Sequence, residues 1–213
     1  MQALHGSLVA LVTPMSPNGD VDYASLEKLI EWHIAEGTNG IVSVGTTGES
    51  STLNPIEHID VIGFTVKHVN KRIPVIAGTG ANSTQEAIEL TQESKKLGSD
   101  YALLVTPYYN KPNQRGLIAH YEAVADSVDI PQILYNVPSR TACDLIPSSV
   151  QVLSEHKNIV GIKEALDSMD RIKELVKISI NANDNFSIYS GDDPTFMESL
   201  SPVSYTHLTL PTN

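Results

Sequence analysis

The chain is poor in the residues that build disulfides, membrane spans and nucleic-acid surfaces. It has one cysteine, Cys143, in 213 residues, so no internal disulfide can form and a reducing compartment fits. A lone cysteine with histidines elsewhere could be a nucleophile, but Cys143 stands in no recognisable signature. No apolar run approaches the ~20 residues needed to cross a bilayer. The segment Met1–Ser7 lacks the basic stretch and apolar run of a signal peptide, and a cytoplasmic protein is expected. Positive charge is scarce: 14 Lys and Arg against 25 Asp and Glu give a formal charge of −11, which argues against nonspecific nucleic-acid binding. The seven histidines are scattered without ligand spacing, and Asp192-Asp193 reads as a turn, so no metal is expected.

What is present has a βαβ rhythm. Short apolar runs recur at Leu8–Thr13, Gly40–Gly45, Pro74–Gly78, Tyr101–Thr106, Pro131–Asn136, Ile159–Lys163 and Phe186–Ser190. Such near-continuous runs suit strands buried on both faces of a parallel sheet. Between them, Tyr23–Glu36 has helical spacing, and Ser83-Thr-Gln-Glu86 reads as a capping box opening a helix to Leu97 with Gly98 as its stop. Asp167–Ile180 is a further amphipathic stretch. Seven βα steps without a composition break predict an α/β fold, a TIM (β/α)8 barrel. A complete barrel takes ~250 residues, so a barrel truncated after about strand seven and the start of its helix is expected. Residues 1–201 form the catalytic domain on this reading. Residues 202–213, uncharged and without helical period, form a non-family tail, artefactual or disordered.

Lys163 lies in the run Asn158-Ile-Val-Gly-Ile-Lys-Glu-Ala165. Strand alternation puts Ile159, Gly161 and Lys163 on one face, with Gly161 leaving space for a small substrate beside the lysine. A buried lysine has a depressed pKa, and its neutral amine condenses with a ketone to a Schiff base. A snorkelling lysine, or one paired with Glu164, is the alternative.

The other reactive groups follow strands, where barrels build active sites. They are Gly45-Thr-Thr-Gly-Glu-Ser50, Thr106-Pro-Tyr-Tyr-Asn-Lys-Pro112, Tyr135-Asn-Val-Pro-Ser-Arg-Thr141, and Gly191-Asp-Asp193. The first suits a tight loop whose N–H groups hold a carboxylate; it lacks the Lys-Ser/Thr ending of a P-loop. Ala77-Gly-Thr-Gly-Ala-Asn82 lacks the third glycine of a dinucleotide fingerprint.

Together GTTGES, TPYYNKP, YNVPSRT and GIKEA, in this order from about Gly6 to Ser201, resemble the dihydrodipicolinate synthase family of pyruvate-dependent class I aldolases. The resemblance implies condensation of pyruvate with aspartate semialdehyde to 4-hydroxy-tetrahydrodipicolinate, on the route to diaminopimelate and lysine. It implies no cofactor, and a homotetramer built from tight dimers. Lys163 would form the imine, and Tyr135 would be the acid/base beside it. Thr47 would link Tyr135 to Tyr109, the latter contributed from a neighbouring subunit. Thr46 and Thr47 would hold the pyruvate carboxylate, Arg140 that of aspartate semialdehyde, and Gly191 would lend its backbone.

Thr46 and Arg140 together separate this reading from N-acetylneuraminate lyase, whose aldehyde partner is a sugar. An inactive fragment of the synthase is the reading from another class. A lysine effector would use Ser50, His58, Asn82, Glu86 and Tyr108. Pro55 stands where some lysine-sensitive members have a histidine, and Glu86 could instead be only a capping acid.

Overall fold

The computed structural model describes residues 4–182 and 185–192, and the backbone of residues 206–209. Eight parallel strands among them close into a barrel in sequence order. They are β1 (Gly6–Ala10), β2 (Gly40–Ser43), β3 (Val75–Gly78), β4 (Tyr101–Val105), β5 (Gln132–Asn136), β6 (Ile159–Glu164), β7 (Ser187–Ser190) and β8 (Thr206–Thr209). The helices between them are α1 (Tyr23–Ala35), α2 (Pro55–Val69), α3 (Thr84–Leu97), α4 (Gln114–Ser127), the single turn α5 (Pro138–Thr141), α6 (Pro147–Leu153) and α7 (Met169–Asn181).

Strand alternation sorts the apolar residues into layers. Leu8, Val42, Ile76, Leu103, Ile133 and Tyr189, from six different strands, form one buried cluster at the barrel centre. Their neighbours Val9, Ile41 and Val75 pack outward with Leu26 and Ile30 of α1 and Val61 and Ile62 of α2. Leu104, Leu134 and Ile162 pack with Leu117 and Tyr121 of α4 and Leu175 of α7.

Helix ends are fixed locally. Gly98 ends α3 at φ +97°, a conformation glycine adopts without penalty. At the start of α3 the Ser83 hydroxyl accepts from Glu86 N–H at 3.4 Å. The reciprocal box forms instead at α2, where Asn54 accepts from Glu57 N–H and the Glu57 carboxylate accepts from Asn54 N–H.

The barrel class is the expected one, and among the described residues the seven expected strands are joined by a short eighth. Thr206–Thr209 pairs with β1 through Gly6↔Thr206 to Val9↔Thr209, and with β7 through Tyr189↔Thr206 and Ser190↔His207. The physical reason is the edge problem: β1 and β7 each present a row of backbone groups that a short, uncharged, threonine-containing segment can satisfy. The segment beginning at Pro194, read as the start of a helix, lies outside the described residues, as does Asp193. Among the described residues no helix is long and apolar enough to cross a membrane.

Candidate active site

β5 and β6 end side by side, with Tyr135 opposite Lys163 and Asn136 opposite Glu164. Alternation turns the first pair into the barrel and the second toward the helices. Lys163 is 7% exposed and Tyr135 6%, and the lysine Nζ stands 4.4 Å from the centroid of the Tyr135 ring. Both face a hollow of about 190 Å³ that Thr46, Thr47, Arg140 and Gly191 also line. The alternative pairing of Lys163 with Glu164 fails on direction: the Glu164 carboxylate accepts from Asn136 Nδ2 at 3.0 and 3.1 Å and faces Arg171 at 3.5 Å.

Two details of the strand differ from the expected alternation. Ile159 packs in the same helix-side cluster as Ile162, while Val160 packs against the central one. A register shift opposite Gln132–Ile133 inserts one residue, and such a bulge resets the alternation. Gly161, moreover, leaves no free volume. A Cβ there would meet Ser187 O at 2.5 Å and the Tyr189 ring at 2.8 Å, so the glycine admits its neighbour strand rather than a substrate. The glycine that makes room for the lysine is Gly191, where a Cβ would lie 2.5 Å from Lys163 Cε and 3.1 Å from its Cγ.

Tyr135 has its hydroxyl within hydrogen-bonding reach of Thr46. Thr47, the hydroxyl expected to make that link, lines the same hollow. Burial pushes the Tyr135 phenol above its ordinary range, and the Thr46 bond and the Arg140 charge pull part of the way back. Arg140 is exposed on α5 at the rim. The Gly45–Ser50 loop is wound tightly: Gly48 N–H and Ser50 N–H both donate to Gly45 O, and Glu49 N–H to Thr46 O. Thr13 Oγ1 donates to Gly48 O at 2.7 Å. Val44, which enters the loop, has φ +54°, a strained conformation for a β-branched residue. The N–H groups of Thr46 and Thr47 are not among the donors that close the loop. Tyr109 is the one expected catalytic residue the chain does not bring to the hollow. It is 87% exposed, on a loop held by Asn82, whose Oδ1 accepts from the N–H of Tyr108 and Tyr109 at 2.8 and 3.0 Å.

A second, smaller hollow of about 130 Å³ is lined by Ser50, His58, Asn82, Glu86 and Tyr108, the five residues expected to take an effector. Buried His58 stands 2.7 Å from Gly78 O through Nε2, and desolvation lowers its pKa. Sequence reasoning gave no role to Ser139, Ala165 and Asp192, which line the first hollow, although each lies within one of the quoted motifs. It also missed the Asn136–Glu164 pair behind it, although each directly follows a predicted catalytic residue. Among the described residues no group of three or more His, Cys, Asp or Glu side chains is placed to hold a metal ion.

Residues 3–203 match the family model described as the dihydrodipicolinate synthetase family. A curated relative from Stutzerimonas stutzeri (strain A1501), named 4-hydroxy-tetrahydrodipicolinate synthase, is 58% identical over 193 residues, covering 91% of this chain and 65% of the relative. The chain thus spans under two thirds of that relative's length. Among solved structures, the chloride-inhibited dihydrodipicolinate synthase from Acinetobacter baumannii complexed with pyruvate superposes with a TM-score of 0.93 at 54% identity, covering 97% of this chain and 70% of that one. The enzyme from Cyanidioschyzon merolae with lysine bound gives 0.92 at 38% identity, with 97% and 70% covered.

Proposed function

The chain belongs to the dihydrodipicolinate synthetase family, and on that premise we propose that its Lys163 hollow condenses pyruvate with aspartate semialdehyde in the cytoplasm. The observation that carries the reading is the register pair Tyr135↔Lys163 at the mouth of the barrel, with Thr46 and Arg140 on the same hollow.

The Lys163 amine adds to the ketone carbon of pyruvate, and loss of water leaves an iminium on Nζ. A proton leaves the methyl group and its electron pair moves into the C–N system, giving an enamine. The enamine carbon attacks the aldehyde carbon of the second substrate, whose oxygen takes up a proton. Attack by that substrate's own amine on the iminium carbon closes the ring and frees the lysine. Tyr135, beside Nζ, shuttles the protons. Thr46 orients the phenol, while the N–H groups of Thr46 and Thr47 hold the pyruvate carboxylate. Gly191 keeps the lysine stem unobstructed.

Arg140 at the rim takes the carboxylate of aspartate semialdehyde. That requirement favours this partner over the sugar aldehyde of an N-acetylneuraminate lyase. Tyr109, exposed in one chain, completes the proton path of a neighbouring copy in a homotetramer. The second hollow takes lysine as an effector, with Glu86 facing an ammonium. Residues 1–201 carry this chemistry, and Thr206–Thr209 closes the wall.

Turnover of pyruvate with aspartate semialdehyde, wild type against Lys163→Ala, tests the reading. Replacing the nucleophile is expected to lower kcat by ~10³-fold or more. Equal turnover by both chains overturns the mechanism; none by a folded wild-type chain makes it an inactive fragment.

A further inference from the structure

The side chains on the far side of β5 and β6 form one buried polar cluster. Asn136 is fully buried and Glu164 1% exposed. Asn136 Nδ2 donates to both Glu164 oxygens and, at 2.9 Å, to Asp144 Oδ1. Asn136 Oδ1 accepts from Leu145 N–H at 3.0 Å. Arg171, from α7, donates to Asp144 Oδ2 at 2.7 Å and to Leu145 O at 3.1 Å. Glu164 Oε1 accepts from Leu166 N–H at 3.1 Å.

The chain positions of these contacts carry the argument further. Asn136 and the Asp144–Leu145 pair are the two feet of the segment 137–143, whose single turn α5 carries Arg140. That turn is closed by Arg140 N–H and Thr141 N–H to Val137 O and Ala142 N–H to Pro138 O, with the Thr141 hydroxyl bonded to Val137 O and Cys143 O, and it ends on Ala142 at φ +49°. A helix of one turn is marginal without outside support. Asn136 supplies it by binding the far foot through both ends of one amide, and it binds the neighbouring strand at Glu164 through the same nitrogen. The residue before it is Tyr135, and the residue before Glu164 is Lys163. One amide therefore ties together the strand of the phenol, the strand of the amine and the loop of the guanidinium. No carboxylate or alkyl side chain of that size could donate to two acids and accept from an N–H at once.

We propose that Asn136 is a positioning residue that fixes Arg140 relative to Lys163 and Tyr135, so that the site selects a carboxylate-bearing aldehyde at the correct distance from the enamine. This rests on the reading of Lys163, Tyr135 and Arg140 given above. Misplacing one binding group by about an ångström is enough to lower rates by ~10²-fold. The effect falls on the second substrate, because Lys163 and Tyr135 are already held together by strand register, whereas Arg140 reaches the site only through this loop.

The test is Asn136→Leu, which keeps the branched outline of the side chain and removes every side-chain hydrogen bond, compared with wild type in three measurements on folded protein. Borohydride trapping of pyruvate on Lys163 is expected to persist. KM for aspartate semialdehyde is expected to rise ~10-fold or more, with kcat changing less, and amide exchange at Leu145 to accelerate by ~10-fold or more. A lowered melting temperature with wild-type KM and exchange would mean a purely structural role and overturn the proposal. If Asn136→Leu does not fold, Asp144→Ala, at a half-exposed position, removes one of the two contacts to the same foot and is expected to raise KM in the same direction; an unchanged KM there overturns it too. Should wild type trap no pyruvate, the reading of the site fails, and the exchange rate alone decides whether Asn136 holds the loop.

Discussion

Two hollows open near the carboxyl ends of the strands, and they are built differently. The Lys163 hollow takes its reactive walls from strand ends, with Tyr135 and Lys163 locked in register. The Ser50–Glu86 hollow takes its walls from the end of the glycine loop, the 80–82 turn and the first turns of α2 and α3. Strand ends in a closed barrel hold atoms to the tolerance that covalent chemistry needs. Loop and helix-end walls can admit a ligand without displacing those atoms, which suits binding and regulation. Among the expected catalytic residues, Tyr109, on the loop that Asn82 holds, is the one that stands outside its hollow, whereas Thr47, on the tightly wound glycine loop, lines it.

The sharpest way to break that contrast is Gly191→Ala. Its Cβ would press on Lys163 Cε, and the flexible stem would yield, moving Nζ. Turnover is expected to fall by ~10²-fold, with the melting temperature nearly unchanged and lysine binding at the second hollow intact. Steady-state kinetics beside a thermal melt reads both.

A second prediction concerns the support behind the strands. Burial pushes the Glu164 carboxyl up to about 7, against 4.5 for an ordinary glutamate. As pH rises from 4.5 to 7 the unfolded chain gives up this proton first, so folding loses stability across that window, by ~3 kcal/mol in all. Stability from this group is therefore greatest below pH 4.5. His120 slopes the other way: burial lowers its pKa to about 4, and it disfavours folding as pH falls below 6.5. Glu164→Gln is expected to lose the decline toward neutral pH while keeping the acid limb, as urea midpoints taken from pH 4.5 to 8 would show.

The smallest expected effect belongs to the second hollow. Glu86→Gln should weaken lysine binding by ~10-fold, the scale of one charge-assisted contact, and leave kcat unchanged. Calorimetric titration with lysine checks the first part and turnover without lysine the second. A fall in turnover would mean that the two hollows are not separable.

How far the sequence reveals these regions depends on the range of the interactions. The strand positions are legible because burial on both faces demands apolar runs, and the start and end of α3 are legible because Ser83 and Gly98 act within one turn. The motifs around the Lys163 hollow are legible because they follow strands, whereas the residues of the second hollow come from the family resemblance alone. What is not legible depends on contacts between strands. The bulge beside Val160 depends on how β6 meets β5, and the roles of Gly161 and Gly191 depend on which neighbour crosses each. Closure by Thr206–Thr209 answers edges that exist only once the other strands are paired.

The central claim is that Lys163 is an imine-forming nucleophile. Incubating the chain with pyruvate, reducing with borohydride and mapping the peptides by mass spectrometry tests it most directly. One reduced pyruvate equivalent on Lys163, absent from Lys163→Ala, is the predicted result. No adduct on folded chain, or an adduct on another lysine with Lys163 unmodified, would contradict it.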